Sequence, residues 1–109
     1  MIKSLALLTA KDGMTREEFR KIWVAEHAPL VHAVPGVRKY VLSFILGEPT
    51  SANAPIQPVR IDAIAELWYD DIEALRRAAA SPEMKIVQDN GAKYLGAIKP
   101  LVTEEVSII

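Results

Sequence analysis

The 109-residue chain contains no cysteine. That excludes disulfides, thiolate nucleophiles and cysteine-based metal sites together, and it is compatible with a reducing compartment. An excess of one charge sign is also missing: 13 Lys+Arg against 14 Asp+Glu leave a formal net charge of −1. Neutralising a run of phosphates needs a basic footprint, so nucleic acid is not an expected partner. No apolar run is long enough to span a bilayer, so no membrane partner is expected. The short apolar opening "MIKSLALLTAKDG" lacks the length and cleavage site of a signal peptide, and a cytoplasmic location is expected. The five glycines form no phosphate-cradling loop, and there is no nucleophile elbow. Two histidines and scattered carboxylates lack metal-ligand spacing such as H-E-x-x-H, so neither a metal nor another cofactor is expected.

What the chain does have is the material for a core. Half of its residues are hydrophobic, which predicts one packed domain over residues 1–109 with much surface left uncovered. Ile2 to Ala10 reads as a strand ending at the turn Lys11 to Gly13. "TREE" starts a helix, with Thr15 and Glu18 spaced for a capping box. Phe19, Ile22, Trp23, Glu26, His27 and Leu30 follow at helical spacing. Pro29 cannot donate to the carbonyl of Ala25, so the helix is expected to kink or end there. Val34 to Gly36 turns the chain into a strand over Val37 to Gly47. Residues 48–60 hold three of the seven prolines and read as a surface loop. A third strand, Ile61 to Tyr69, precedes a short helix in "DDIEALRRAAAS". Ser81 and Pro82 start a second helical piece, in which "DNG" (Asp89 to Gly91) invites a break, and a last strand covers Ala97 to Val106.

The order β-α-β-β-α-β is the ferredoxin-like arrangement, an α+β fold with a four-stranded antiparallel sheet. Two helical segments cover one face of such a sheet. Yet "SLALLT" and "YVLSFILG" are apolar on both faces, so the other face needs a partner. The simplest is a second copy packed sheet to sheet, a homodimeric α+β barrel.

His27 lies four residues after Trp23 and eight after Phe19, on the stripe that faces the sheet. A neutral imidazole there is poised to exchange a proton near neutral pH. It also suits a packed histidine bonded to a freed carbonyl such as that of Ala25. Glu66 alternates with Asp62, Ile64 and Trp68, so it is expected to point inward, where a carboxylate can serve acid–base chemistry. The other use of such a residue is a salt bridge at a strand edge or dimer interface, and for Glu26 that is the better reading. Tyr40 shares a face with Leu42, Phe44 and Leu46 and could offer its phenol to a developing oxyanion, or serve as core filler. Trp23, Phe44, Leu67 and Trp68 are the expected pocket lining, and His32, beyond Pro29, is expected to be exposed.

"FRKIWVAEHAPLVHAVPGVRKYV" resembles the helix-to-strand signature of the EthD-like family in the dimeric α+β barrel superfamily. In that family an aromatic-rich helix with "H-A-P-L" leads through "PG" to a strand with "K/R-Y". "RIDAIAELWYDD" and "GAKYLGAIKPLVTEE" are similar to its 4-methylmuconolactone methylisomerase branch. The resemblance covers Met1 to about Glu105. It implies a cofactor-free pocket between sheet and helices, with His27 and Tyr40 on the family's histidine and tyrosine. The branch carries a cysteine directly after the glutamate of "DAI-x-E", where this chain has Leu67. The pocket and its histidine carry over, and the thiol does not.

Two functions follow as expectations. One is a cofactor-independent isomerase or lyase doing proton transfer on a small cyclic organic acid, lactone or aromatic catabolite. His27 would act as base or acid, Tyr40 would stabilise enolate-like charge, and Glu66 would orient the histidine or supply a second proton site. The other is a non-catalytic dimeric accessory protein of a degradation pathway, holding a hydrophobic small molecule. The superfamily also contains cofactor-free monooxygenases of phenols, and haem binders that use a histidine.

Overall fold

A computed structural model describes all residues, Met1–Ile109. Strand β1 (Ile2–Ala10) is followed by helix α1 (Arg16–Ile22), then β2 (Lys39–Phe44) and β3 (Ala63–Tyr69). Helices α2 (Ile72–Ala79) and α3 (Pro82–Ala92) precede β4 (Leu95–Glu104). The strands form one antiparallel sheet in the order β2-β3-β1-β4, the ferredoxin-like topology.

Local chemistry accounts for most helix starts. The Thr15 hydroxyl accepts from the Glu18 amide at 3.1 Å, and Glu18 accepts from the Thr15 amide, completing the capping box. Asp71 caps α2 through the Ala74 amide, and Ser81 caps α3 through the Met84 amide with Pro82 in the first turn. "DNG" does not break α3, because the helix runs on through Gly91 to Ala92. β2 and β3 are shorter than expected, and β4 starts two residues early, at Leu95.

The α-helical ladder ends at Ile22, ahead of Pro29, and the chain continues in other helical turns. Trp23–His27 forms a π turn in which the Ala28 amide donates to the Trp23 carbonyl, and Ala28–Ala33 continues as a 3₁₀ helix. Removing the donor at Pro29 frees the i−4 pattern, and wider and then tighter turns take up the slack.

All helices lie on one sheet face. Leu8, Ala10, Phe19, Trp23, Ala63 and Ala65 form one buried cluster, and Val31, Val34, Tyr69, Ala74, Ala78 and Val87 form a second. Alternation therefore turns Ala63, Ala65, Leu67 and Tyr69 of β3 toward the helices and Ile64, Glu66 and Trp68 away from them. On that outer face Lys3, Leu5 and Leu7 of β1 stand opposite Trp68, Glu66 and Ile64. Val41 stands opposite Glu66, and Leu101 opposite Leu5. No secondary-structure layer covers this face.

Asp62, just before β3, is fully buried and accepts from the Ala10 amide at 2.7 Å and from Arg16 and Arg60 at 3.0 Å each. Burial pushes its carboxyl up, but these three donors together win and hold it below the usual carboxylate range. This carboxylate ties the β1 end, the α1 start and loop 48–60 together. No helix is long and apolar enough to cross a membrane.

Candidate active site

A cavity of about 580 Å³ lies between the helices and the sheet, and 16 of its 22 lining residues are hydrophobic, so the few polar groups on its wall stand out. They include Ser4, His27, Tyr40 and Gln88. A second hollow of similar size lies beside Arg16, Glu48 and Arg60, but only two hydrophobic residues line it and His27 is remote from it.

The π turn places His27 in the cavity wall. Phe19, Trp23 and His27 stack in series, with ring centroids 4.9 and 3.7 Å apart. Glycine at position 91 allows α3 to press on this stack. A Cβ there would stand 3.1 Å from His27 Cε1 and 3.2 Å from Trp23 Cη2. His27 Nδ1 lies 3.0 Å from Asn90 Oδ1, not on the carbonyl of Ala25. Asn90 Nδ2 donates to Glu26 Oε2 at 3.0 Å, and the Tyr94 hydroxyl donates to the same oxygen. Nε2 of His27 has no protein partner and is not sealed from the cavity.

Opposing effects set the charge of the imidazole. Burial lowers its pKa, while Asn90 and the Glu26 carboxylate raise it. Burial wins, because His27 is only 5% exposed. The ring is thus held neutral below the usual histidine range. Tyr40 stands on the same cavity, and burial pushes its phenol up to about 12, so it remains a hydrogen-bond donor at any neutral pH. The Trp23 indole N–H lies near enough to the Tyr40 hydroxyl to oppose that rise, yet makes no hydrogen bond of ordinary geometry.

Of the residues expected at the site, the fold brings Trp23, His27, Tyr40 and Leu67 to one cavity. Glu66 and Trp68 are corrected to the outer face. Glu66 pairs with Lys3 at 2.8 Å, and Trp68 stacks between Lys3 and Lys39. The physical reason is the register of β3. Both alternating sets carry large apolar residues, and the helices pack on the set containing the small residues Ala63 and Ala65. Phe44 shares the inner face but packs at the Phe19 end of the core, under the Arg20 guanidinium, and does not line the cavity. His32 is exposed. Asn90, Gly91 and Tyr94 are site residues that sequence reasoning missed. The placement of "DNG" eight residues past a Ser-Pro helix start was the available signal, read there as a break. No three His, Asp or Glu side chains gather to hold a metal ion.

A family model described as the EthD domain matches residues 11–96. The chain is an EthD-domain protein. It is 37% identical, over 106 residues, to the 4-carboxymethyl-4-methylbutenolide mutase of Pseudomonas reinekei, covering 96% of this chain and 98% of that one. Among solved structures, this EthD-domain protein resembles an ethyl tert-butyl ether D family protein of Bacillus halodurans. The two share 26% identity at a TM-score of 0.77, over 97% of this chain and 99% of that one. It also shares its fold with a dimeric ferredoxin-like protein of Thermobifida fusca, at a TM-score of 0.67, 19% identity, and 94% and 88% coverage.

Proposed function

We propose that this EthD-domain protein is an isomerase that moves protons on a small unsaturated lactone bearing a carboxylate. His27 is the base and acid, and Tyr40 is the donor to the carbonyl oxygen. The observation that carries this reading is a free imidazole nitrogen and a protonated phenol on the wall of one largely apolar cavity. The mutase relative adds the substrate class, because a 4-carboxymethyl-4-methylbutenolide is a small unsaturated lactone bearing a carboxylate.

The chemistry follows from these groups. Neutral imidazole takes a proton from the CH₂ beside the substrate's carboxylate, and the C–H electron pair forms a C=C bond to ring carbon 4. The ring C–O bond breaks, its electron pair passing through the lactone carboxyl to the carbonyl oxygen. The Tyr40 hydroxyl donates to that oxygen as its charge grows, and the dry walls strengthen this hydrogen bond. The other carboxylate then adds to the neighbouring former ring carbon to close a new lactone. The imidazolium returns the proton to the carbon beside the released carboxyl, and the product leaves with the atoms of the substrate rearranged and none lost. Glu66, on the outer face, has no part in this sequence. Leu67 gives the cavity bulk where a cysteine would give a nucleophile, so this chain works without a thiol step.

The functional unit is a homodimer joined through the outer face. Leu5, Leu7, Val41, Ile64 and Leu101 would be desolvated there, with Lys3, Glu66 and Trp68 among them. The solved neighbour described as dimeric supports this assembly.

A non-catalytic, ligand-holding role is the second reading, favoured by the largely apolar lining. Incubation with 4-carboxymethyl-4-methylbutenolide in D₂O, followed by proton NMR, separates the two. Isomerisation with deuterium entering carbon positions supports the enzyme. Saturable binding with unchanged substrate supports the accessory protein.

A further inference from the structure

We propose that Asn90 is a positioning residue that holds His27 with its proton on Nδ1 and its lone pair on Nε2, and that Glu26 and Tyr94 fix the sense of that hold. This rests on the reading of His27 as the proton-transfer group.

The polarity of the chain of contacts can be read from its outer end. A carboxylate only accepts hydrogen bonds. Glu26 Oε2 lies 3.0 Å from the Asn90 side-chain amide, so the amide must turn its NH₂ group to Glu26. Its carbonyl oxygen then faces His27, 3.0 Å from Nδ1. An oxygen there can only accept, so Nδ1 is the nitrogen that carries the hydrogen. The opposite amide orientation would set an oxygen against the Glu26 carboxylate and lose that bond, leaving only a bond from the amide NH₂ to an unprotonated Nδ1. Nε2 remains as the lone pair, and it is the ring nitrogen with no protein partner.

The outer groups keep this arrangement in place over the working pH range. The groups facing the network are Glu26 from the π turn and Lys93 and Tyr94 from the turn that follows α3. The Tyr94 hydroxyl, then Asn90, hold the Glu26 carboxyl below the usual glutamate value, with Lys93 adding in the same sense. Glu26 therefore stays ionised through the neutral range. Tyr94 in turn is raised by Glu26 and stays a donor.

Without this network the imidazole has no reason to prefer that form. A free histidine side chain favours the hydrogen on Nε2, which would present a proton where a base is needed. Gly91 and Asn90 thus act as adjacent parts of one contact. The missing Cβ at Gly91 lets α3 come close, and the Asn90 oxygen uses the approach. Asn90 is half-buried and Glu26 is exposed, so their purpose is not core stability.

The test is two-bond proton–nitrogen NMR of histidine-labelled protein, which reports the tautomer directly, alongside turnover of 4-carboxymethyl-4-methylbutenolide. The wild type should show His27 with its hydrogen on Nδ1. Asn90→Ala should move the hydrogen wholly or partly to Nε2 and lower kcat about 10- to 100-fold with little change in KM, a share of the 10²–10⁴-fold of general base catalysis. Glu26→Gln, at an exposed position, should give a mixture of tautomers and a smaller loss, because a glutamine can face either end of the amide. A wild type with the hydrogen on Nε2, or an Asn90→Ala protein still wholly Nδ1–H, overturns the proposal. If the tautomers shift as stated but His27→Gln retains full turnover, the positioning stands and the base assignment fails.

Discussion

The contact between Gly91 and the aromatic stack gives a prediction with two opposing terms. In an ordinary helix interior Gly→Ala stabilises by about 1 kcal/mol. Here the new Cβ would meet His27 Cε1 at 3.1 Å and Trp23 Cη2 at 3.2 Å, so one of them must shift by a few tenths of an ångström. Overpacking a buried site costs about 1–3 kcal/mol. Both rings border the cavity and can yield toward it, and the imidazole, the smaller ring and the nearer of the two, takes the larger share of the shift. Gly91→Ala should therefore be destabilised by only about 0–2 kcal/mol, the difference of the two terms, a fall in Tm of at most about 15 °C for a domain of this size. The displacement stretches the 3.0 Å contact to Asn90, so turnover should fall by far more than stability. Thermal melts and steady-state kinetics on the same preparation check this. A variant stabilised by about 1 kcal/mol with unchanged turnover would show that α3 does not press on the imidazole, and would refute the reasoning.

Other perturbations probe separate parts. Because burial lowers the His27 pKa, the unfolded chain takes up a proton first as pH falls. The His27 contribution to stability is therefore whole above the unfolded value and is lost as pH falls through the folded one. The acid limb of kcat/KM should accordingly lie below the usual histidine range, and a limb at or above it would contradict the burial argument. Tyr40→Phe should lower kcat by about 10²–10³-fold while the fold is kept, as for loss of one oxyanion donor, measured by initial rates. Asp62→Ala leaves the buried Ala10 amide unpaired and should cost about 1–3 kcal/mol in urea unfolding, with little direct effect on ligand binding. Leu7→Asp, on the outer face opposite Ile64, should shift the protein to monomers in sedimentation velocity if two copies meet there.

How much of this was legible in the sequence depends on which signals were local. Thr15 with Glu18, and Ser81 with Pro82, are short-range chemistry, and both caps sit where their spacing put them. The β-α-β-β-α-β order needed only periodicity and turns, and it gives the observed topology. Glu66 and Trp68 failed because "AIAELWY" offers two apolar registers. Choosing between them required knowing that the helices settle closest over Ala63 and Ala65. Asn90 and Tyr94 lie 63 and 68 residues from the groups they contact, so no spacing pattern could announce them. Gly91 read as a helix breaker because propensity was the only visible term, whereas contact with His27 and Trp23 explains why glycine stands there.

The account turns on His27 as the proton-transfer group of an unsaturated lactone isomerase. The most direct measurement is turnover of 4-carboxymethyl-4-methylbutenolide by His27→Gln beside the wild type, with circular dichroism melts of both. The expected result is a folded variant with a melt near that of the wild type and turnover reduced at least about 10²-fold, the lower end for a general base. Wild-type turnover in a folded His27→Gln protein would contradict it.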